Sequence, residues 1–397
     1  MKVYIITSIG FPNGFASGNR IKCYAKALLS AGTDCEVIIC RRTERYGVPP
    51  QNTVGAGDHE GIPFKYIGGT PLRGSNVLIR RFNDWADKCR LDKFLRSVLK
   101  EGDIVLSYIG FDVEYCIHLC KLVQKCGAKY VLELCEFPYG TRKETSYAIR
   151  KRRIEEKKLL PIVNGIIPIS DSLKEYASQF VGRGCKFHKV PILVDYKKYD
   201  LPDRSSETEI PYIFHSGKLQ DQKDGILGMF EAYGKLLRDN DIPLRFITTG
   251  NLQSSSERMQ IEEIVERYQL KDKLIFVGDL SQEQIQDYLS KAMMVLSYRH
   301  DNRQIKYGFS TKLGEYMAAG KPIIITKVGE PMNWLRDGKD CIMIDADDEE
   351  ALINNILRLY ADADLRRYLG ENARITCKIS FDYVTVAQQL KEFLSTL

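Results

Sequence analysis

Short β-rich apolar runs alternate with stretches of apolar residues at helical spacing, and the alternation passes through the chain twice. Candidate strands in the first round are Val3–Thr7, Cys35–Cys40, Phe64–Ile67, Ile104–Tyr108, Tyr130–Leu134, Gly165–Ile169 and Lys189–Ile192. Between the first two, Ile21, Tyr24, Ala25, Leu28 and Leu29 recur at the helical period, and Gly32 ends the pattern. Strands connected through helices run parallel, so a doubly wound α/β sheet is predicted. The stretch Leu201–Ile210 is polar, carries a proline and lacks any period. After it the pattern restarts with Tyr212–His215, Leu244–Thr248, Leu274–Val277, Met294–Ser297, Pro322–Thr326 and Cys341–Ile344. A chain of 397 residues accommodates two such domains, each with its own core. The expected division is 1–200 and 201–381, with the last helical stretch, about 382–397, packing back on the first domain.

Composition narrows the class of function. Apolar residues at 44% and charged residues at 28% suit a globular protein. The net charge of +6 is spread along the chain, which does not indicate nucleic-acid binding but fits anionic ligands or an anionic membrane surface. The N-terminus enters a strand directly, without the pattern of a signal peptide, and no run reaches the ~18 apolar residues of a spanning helix. Eleven cysteines without a CxxC pair suit reduced thiols, so a cytoplasmic protein is expected. Cys116, His118, Cys120 and Cys126 are weighed as a metal site. On a helix His118 points about 200° away from Cys116, so buried, inert thiols are the expectation.

Several signatures are absent. Gly314 and Gly320 enclose five residues and Pro322 follows Lys321, so there is no Walker A loop. No GxGxxG follows the first strand, and neither GxSxG nor HExxH occurs. The acidic run Asp345–Glu350 precedes an apolar helical pattern, where acids favour a helix N-terminus over a metal.

Three segments suit an anionic ligand. Tyr307–Thr326 reads as a glycine-bearing loop, a helix starting near Thr311, a Gly-Lys-Pro turn and a buried strand. Unpaired N–H groups and the helix dipole at such a start favour a phosphate, and Glu315 lies on the same face as Thr311. The second is the loop after the first strand, where Gly14 and Gly18 permit close approach and Ser17 or Asn19 is a candidate cap. In the third, Gly217, Lys218 and Lys223 follow Tyr212–His215, two lysines beside a flexible glycine. Each also fits an ordinary connection or a solvated loop.

In order and spacing these pieces resemble the GT-B glycosyltransferases of the large retaining family four. HSGKLQDQKDG is similar to the family's phosphate segment, with Asp224 intervening between Lys223 and Gly225. LIFVGDLSQEQIQDYLSKAMMVLSY resembles its strand–Gly–helix–strand unit, and YGFSTKLGEYMAAGKPIIIT its motif of two spaced glutamates. The resemblance implies two Rossmann-like domains facing across a cleft, an N-terminal one for acceptor and a C-terminal one for nucleotide-sugar. By position, Lys218 and Lys223 would hold the donor diphosphate beside Gly217. Backbone near Val277 and Gly278 would meet the nucleobase. Backbone of Ser310, Thr311 and Lys312 would contact the distal phosphate or sugar, and Glu315 the ribose hydroxyls. Gly18 would belong to the loop closing over the phosphates. Tyr307 stands where the family carries its first glutamate, which touches the donor sugar.

On the acceptor side, Tyr130–Leu134 runs into ELCEFPYG, which places Glu133, Glu136 and Pro138 at the expected cleft. Glu136 is the candidate to orient an acceptor hydroxyl or take its proton, and equally a candidate cap. Arg142–Lys158 carries eight Lys or Arg against three Glu, with Ile149, Arg152, Arg153 and Glu156 at helical spacing. This basic face is a candidate for peripheral contact with an anionic membrane at its inner face, beside a lipid-linked or glycan acceptor. The expected activity is metal-independent transfer of a hexosyl group in surface polysaccharide or glycoconjugate synthesis, with no cofactor beyond the nucleotide-sugar donor. A nucleotide-sugar epimerase on the same scaffold, and a silent nucleotide-sugar-binding protein, remain the alternatives.

Overall fold

The computed structural model describes residues 1–109, 112–139 and 144–397. They form two compact units, Met1–Leu193 with Tyr383–Leu397, and Val194–Asp382.

The first unit is an eight-stranded sheet in the order β3-β4-β2-β1-β5-β6-β7-β8. Its strands are β1 (Lys2–Thr7), β2 (Asp34–Ile39), β3 (Ala56–His59), β4 (Ile62–Tyr66), β5 (Ile104–Tyr108), β6 (Lys129–Leu134), β7 (Gly165–Pro168) and β8 (Lys186–Phe187). All pairs are parallel except β3 with β4. The helices are α1 (Phe15–Ser30), α2 (Val77–Val98), α3 (Val113–Lys125), α4 (Ser146–Ile154) and α5 (Asp171–Ser178). The strand β3 escaped sequence reading because AGDH has no apolar alternation. It forms through the turn at Glu60 and Gly61, both at positive φ, the geometry that suits a two-residue hairpin. Lys189–Ile192 is not a strand: the ladder stops at Phe187, and Pro191 has no N–H to extend it.

The terminal helix Tyr383–Ser395 lies against α1, burying Val386, Ala387, Leu390, Phe393 and Leu394 in the core that contains Ile21, Tyr24 and Leu28. Inside that core sits a buried ion pair. Arg20 Nε donates to Glu133 Oε1 at 2.7 Å, and both side chains are 1% exposed. The remaining guanidinium N–H groups reach Tyr24 Oη and the Val190 and Pro191 carbonyls. Glu133 therefore anchors α1 to β6 instead of lining a cleft. The α1 helix starts at Phe15 with Gly14 as its cap residue, so Ser17 and Asn19 lie inside the helix and cap nothing. A Cβ on Gly14 would stand 2.1 Å from the Gly10 carbonyl oxygen, so this tight entry requires glycine.

The second unit is a six-stranded parallel sheet ordered β11-β10-β9-β12-β13-β14. Its strands are β9 (Tyr212–His215), β10 (Arg245–Thr248), β11 (Leu274–Phe276), β12 (Met294–Ser297), β13 (Ile323–Thr326) and β14 (Ile342–Ile344). Its helices are α6 (Tyr196–Tyr199), α7 (Asp221–Asp224), α8 (Ile226–Asp239), α9 (Arg258–Arg267), α10 (Gln282–Lys291), α11 (Arg303–Tyr307), α12 (Thr311–Ala318), α13 (Glu349–Ala361) and α14 (Ala363–Ser380). The strands are buried on both faces, which is why they read as unbroken apolar runs. Lys321 is fully enclosed, yet its ammonium donates to Asp203 Oδ1 (2.7 Å) and the Ser290 carbonyl (2.8 Å), which pins the segment after α6 to the sheet.

The Arg20–Glu133 pair gives a direct test. Glu133→Leu leaves a buried, uncompensated guanidinium and should lower the unfolding free energy by roughly 3–5 kcal/mol in chemical denaturation. Adding Arg20→Met should recover part of that loss. A single-variant loss below about 1 kcal/mol would contradict the structural role.

Candidate functional site

In an open parallel sheet, ligands bind beyond the carboxyl ends of strands where the strand order reverses, because neighbouring connections there leave in opposite directions. In the second unit that point lies between β9 and β12. Chain leaving β9 forms His215-Ser216-Gly217-Lys218, and chain leaving β12 forms Tyr298-Arg299-His300. The two strands on one side of β9, β10 and then β11, are each followed two residues on by a glycine of positive φ, Gly250 (+96°) and Gly278 (+73°). The Gly250 N–H donates to the Gly278 carbonyl at 2.9 Å, and a Cβ on Gly250 would lie 2.9 Å from the Gly217 oxygen. Gly217, Gly250 and Gly278 thus form one side-chain-free rim, with Val277 beside it.

The start of α12 approaches the same rim. Ser310 precedes the helix without capping it by its side chain. Tyr316, fully buried, accepts from the Ser216 N–H at 2.7 Å and so ties the helix to the loop after β9. Lys312 Nζ lies where a Cβ on Gly217 would be, at 2.4 Å. A small cavity lined by Ser297, Arg299, Gly308, Ser310 and Thr326 opens at the ends of β12 and β13.

Asp224 sits between these segments. It is buried at the end of α7, accepting from Lys312 Nζ at 2.6 Å and from the Arg299 guanidinium at 3.4 Å. Burial alone would raise its carboxyl, but Lys312 and Arg299 hold it down at about 2. Burial lowers the Lys312 ammonium from its ordinary value, with Asp224 opposing. His215 is enclosed beside Thr248 (3.2 Å), and burial, reinforced by Lys312, pushes it down to about 3. His300 bridges Asp221 (3.0 Å) and Asp347 (2.6 Å); burial opposes its proton, yet those carboxylates raise it.

The predicted donor residues of the second unit therefore gather at one edge of its sheet, while Gly18 lies in the first unit. Lys218 is exposed on the loop after Gly217, Lys223 is half-buried in α7, and Glu315 is half-exposed one turn into α12. Tyr307 closes α11, three residues ahead of Ser310. Sequence reading took Asp224 as a mere insertion and Lys312 as a backbone contact. Their ion pair with Arg299 was missed, although Arg299, a cation just past a strand end, carries the same signal as Lys218.

The acceptor-side candidate Glu136 and the donor-loop candidate Gly18 belong to the first unit, and Gly18 lies inside a helix and not in a loop. Glu136 is exposed, two residues past β6, while Gly18 is the fourth residue of α1. Arg142 and Lys143 lie outside the described residues. Arg152 is not a free cation: it pairs with Glu144 and lies over the Phe137 ring. Lys151 pairs with Glu114, and exposed charge on this helix and the turn after it remains at Arg150, Arg153, Lys157 and Lys158. Cys116 and Cys120 are buried against the Ile109 and Ile162 carbonyls while His118 bonds Asp92, so those groups do not converge. Among the described residues no cluster of three metal-ligating side chains occurs.

Two doubly wound units of this kind, one with a glycine-rimmed edge at its reversal point, give the GT-B fold. Residues 200–376, almost the whole second unit, match the family model of the glycosyl transferases group 1. A curated relative, N-acetyl-alpha-D-glucosaminyl L-malate synthase of Bacillus anthracis, is 24% identical over 178 residues, 45% of this chain and 42% of that protein. The chain matches less than half the length of its curated relatives. Sucrose-phosphate synthase from Thermosynechococcus elongatus superposes with a TM-score of 0.74 at 18% identity, covering 100% of this chain and 99% of that one. Anabaena HepE, solved in complex with UDP, gives 0.73 at 15% identity with full coverage of both chains.

The enclosed His215 predicts a pH dependence. Unfolded, it takes a proton near 6.5; folded, only near 3. The unfolded state binds more protons between those values, so His215 makes stability fall as pH drops through that window. Urea midpoints across it should fall more steeply for the natural chain than for His215→Gln. Parallel profiles would contradict the account.

Proposed function

We propose that the chain is a retaining glycosyltransferase that moves a hexosyl group from a nucleotide-sugar to an acceptor hydroxyl. The observation that carries this reading is the convergence of the β9 loop, α7 and the start of α12 on the reversal point of the second sheet. A diphosphate in that place would accept from α12 N–H groups at Ser310, Thr311 and Lys312, with Lys218 and Lys223 as counter-charges. As the glycosidic bond breaks, negative charge grows on the leaving diphosphate, and cations fixed beforehand stabilise it without reorganising. Glu315 would receive the ribose hydroxyls, and the backbone at Val277 and the side-chain-free Gly278 would admit a flat base. The Arg299–Asp224–Lys312 cluster supplies further charge, so no divalent metal or other cofactor is required. UDP in the Anabaena protein supports a nucleotide of this size for this chain.

The acceptor is proposed to be a lipid-linked or glycan intermediate of surface polysaccharide or glycoconjugate assembly, used in the cytoplasm at an anionic membrane surface. Among the described residues no helix is long and apolar enough to cross a membrane. Glu136, exposed at the carboxyl edge of the first sheet, would orient the acceptor hydroxyl or take its proton.

A transfer assay with a nucleotide-sugar panel tests the reading. Lys218→Ala, Lys223→Ala and Glu315→Ala should each lower kcat/KM by about 10²–10³-fold while melting temperature stays unchanged. Turnover should survive EDTA, and complete loss with chelator would overturn the metal-free mechanism. NMR of the nucleotide-sugar without acceptor should show no epimer. Epimerisation there, or binding without turnover across a broad acceptor panel, would overturn transfer.

A further inference from the structure

The longest helix of the first unit exposes apolar residues that its own fold leaves uncovered. In α2, Leu78, Phe82 and Trp85 fall on one face, and they are 71%, 62% and 61% exposed. The face opposite buries Ala86, Asp87, Leu91 and Leu95. Val77 (52%), Ile79 (49%) and Leu72 (46%) widen the exposed area at the start of the helix. Phe82 and Trp85 pack on each other with ring centroids 5.8 Å apart, so two large aromatics form one ridge in water. A soluble monomer seldom leaves such a contiguous apolar area uncovered without a partner for it.

The charge around the ridge identifies that partner. From Thr70 to Trp85 there are three arginines, Arg73, Arg80 and Arg81, against one acidic residue, Asp84. A backbone bridge between Glu44 and Leu72 brings the Arg41-Arg42-Thr43-Glu44-Arg45 strip alongside, with Tyr46 68% exposed beside it. The nearest acid, Asp84, is exposed between Phe82 and Trp85 and offsets one of the three arginines; beyond it, Asp87 is fully buried against Arg42 and Arg90, and Asp112, capping α3, pairs with Lys88. Exposed Leu, Phe and Trp rimmed by arginine match the boundary of an anionic bilayer, where apolar side chains enter the acyl region and guanidinium groups meet phosphates. A protein groove would offer the apolar part of this match without the requirement for arginine.

The position of the ridge agrees with that partner. Since α2 follows β4 and leads back to β5, its first turns stand at the carboxyl edge of the first sheet, the edge that also carries Glu136. The pair Lys88–Asp112 joins α2 to the start of α3, and Lys151–Glu114 joins α3 to α4. The exposed Tyr147, Arg150 and Arg153 of α4 extend the same basic edge. We propose that the Leu78–Phe82–Trp85 ridge of α2, with Arg73, Arg80 and Arg81, docks the chain on an anionic phospholipid bilayer. The proposal rests on the lipid-linked acceptor reading and names the surface that serves it; α4 adds charge and α2 inserts.

Flotation with vesicles of phosphatidylcholine, alone or mixed with phosphatidylglycerol, tests this on the full chain at low and high salt. The natural chain should float with the mixed vesicles and far less with the neutral ones. Phe82→Ser/Trp85→Ser should weaken binding by more than about tenfold, because both side chains lose their insertion energy. Arg80→Gln/Arg81→Gln should cost about 30-fold at low salt, from ~1 kcal/mol for each charge, and little at high salt. The chain has two tryptophans, so Trp334→Phe leaves Trp85 as the sole reporter, and its emission should shift blue on mixed vesicles. The serine and glutamine variants should melt like the natural chain, since Phe82 and Trp85 are exposed and neither Arg80 nor Arg81 is buried. No flotation, equal flotation of the serine variant, or an unshifted Trp85 emission would overturn the proposal. So would self-association of the natural chain abolished by the serine substitutions without lipid binding, which would make the ridge an interface between copies. Transfer to a short-chain, water-soluble acceptor needs no bilayer. Intact transfer without flotation therefore sinks only the docking surface, whereas flotation without any transfer sinks the enzymatic reading.

Discussion

The Asp224 carboxylate, enclosed between the Lys312 ammonium and the Arg299 guanidinium, holds three separate segments at the point where the second sheet reverses its strand order. Without that negative charge, a half-buried lysine and an arginine would stand together beside His215 and Gly217, and mutual repulsion would open the edge. With it, the cations stay in place before any ligand arrives. Preorganised charge of this kind suits stabilisation of a leaving group, because nothing has to move when negative charge develops. On the proposed reading an incoming diphosphate would share both cations with this carboxylate, which stands between Lys223 and Gly225.

The first unit solves a different problem with the same sheet design. Its internal charge, Arg20 with Glu133, is fully enclosed and structural, fixing α1 on β6. That leaves the carboxyl edge to exposed groups: Glu136, the basic turns of α4 and the aromatic ridge of α2. Buried charge serves packing here, and exposed charge is left to meet partners.

Much of the architecture was legible because parallel strands buried on both faces must be continuous apolar runs. Tyr212–His215 and Met294–Ser297 were read with their observed limits, and α12 begins at Thr311 as its turn chemistry indicated. Edges were harder. The strand β3 is specified by a turn instead of by apolar residues, and Pro191 removes the N–H that Lys189–Ile192 would need. The pairing within the charged clusters was not legible. Arg20 and Glu133 lie 113 residues apart, Asp224 and Lys312 88, and Asp224 and Arg299 75. No local pattern pairs residues across such distances; only the folded sheet brings them together. The arginine-rimmed ridge was hidden for the opposite reason, since a helix apolar on two faces gives no signal of which face the core will take.

The central claim is that the edge between β9 and β12 receives a diphosphate. Titration calorimetry with nucleoside diphosphates and their parent nucleosides tests it most directly. The account predicts one saturable site for at least one nucleoside diphosphate, at least about tenfold tighter than the nucleoside, or ~1.4 kcal/mol. Equal affinity for nucleoside and nucleoside diphosphate, or no binding of any nucleoside diphosphate, would contradict it.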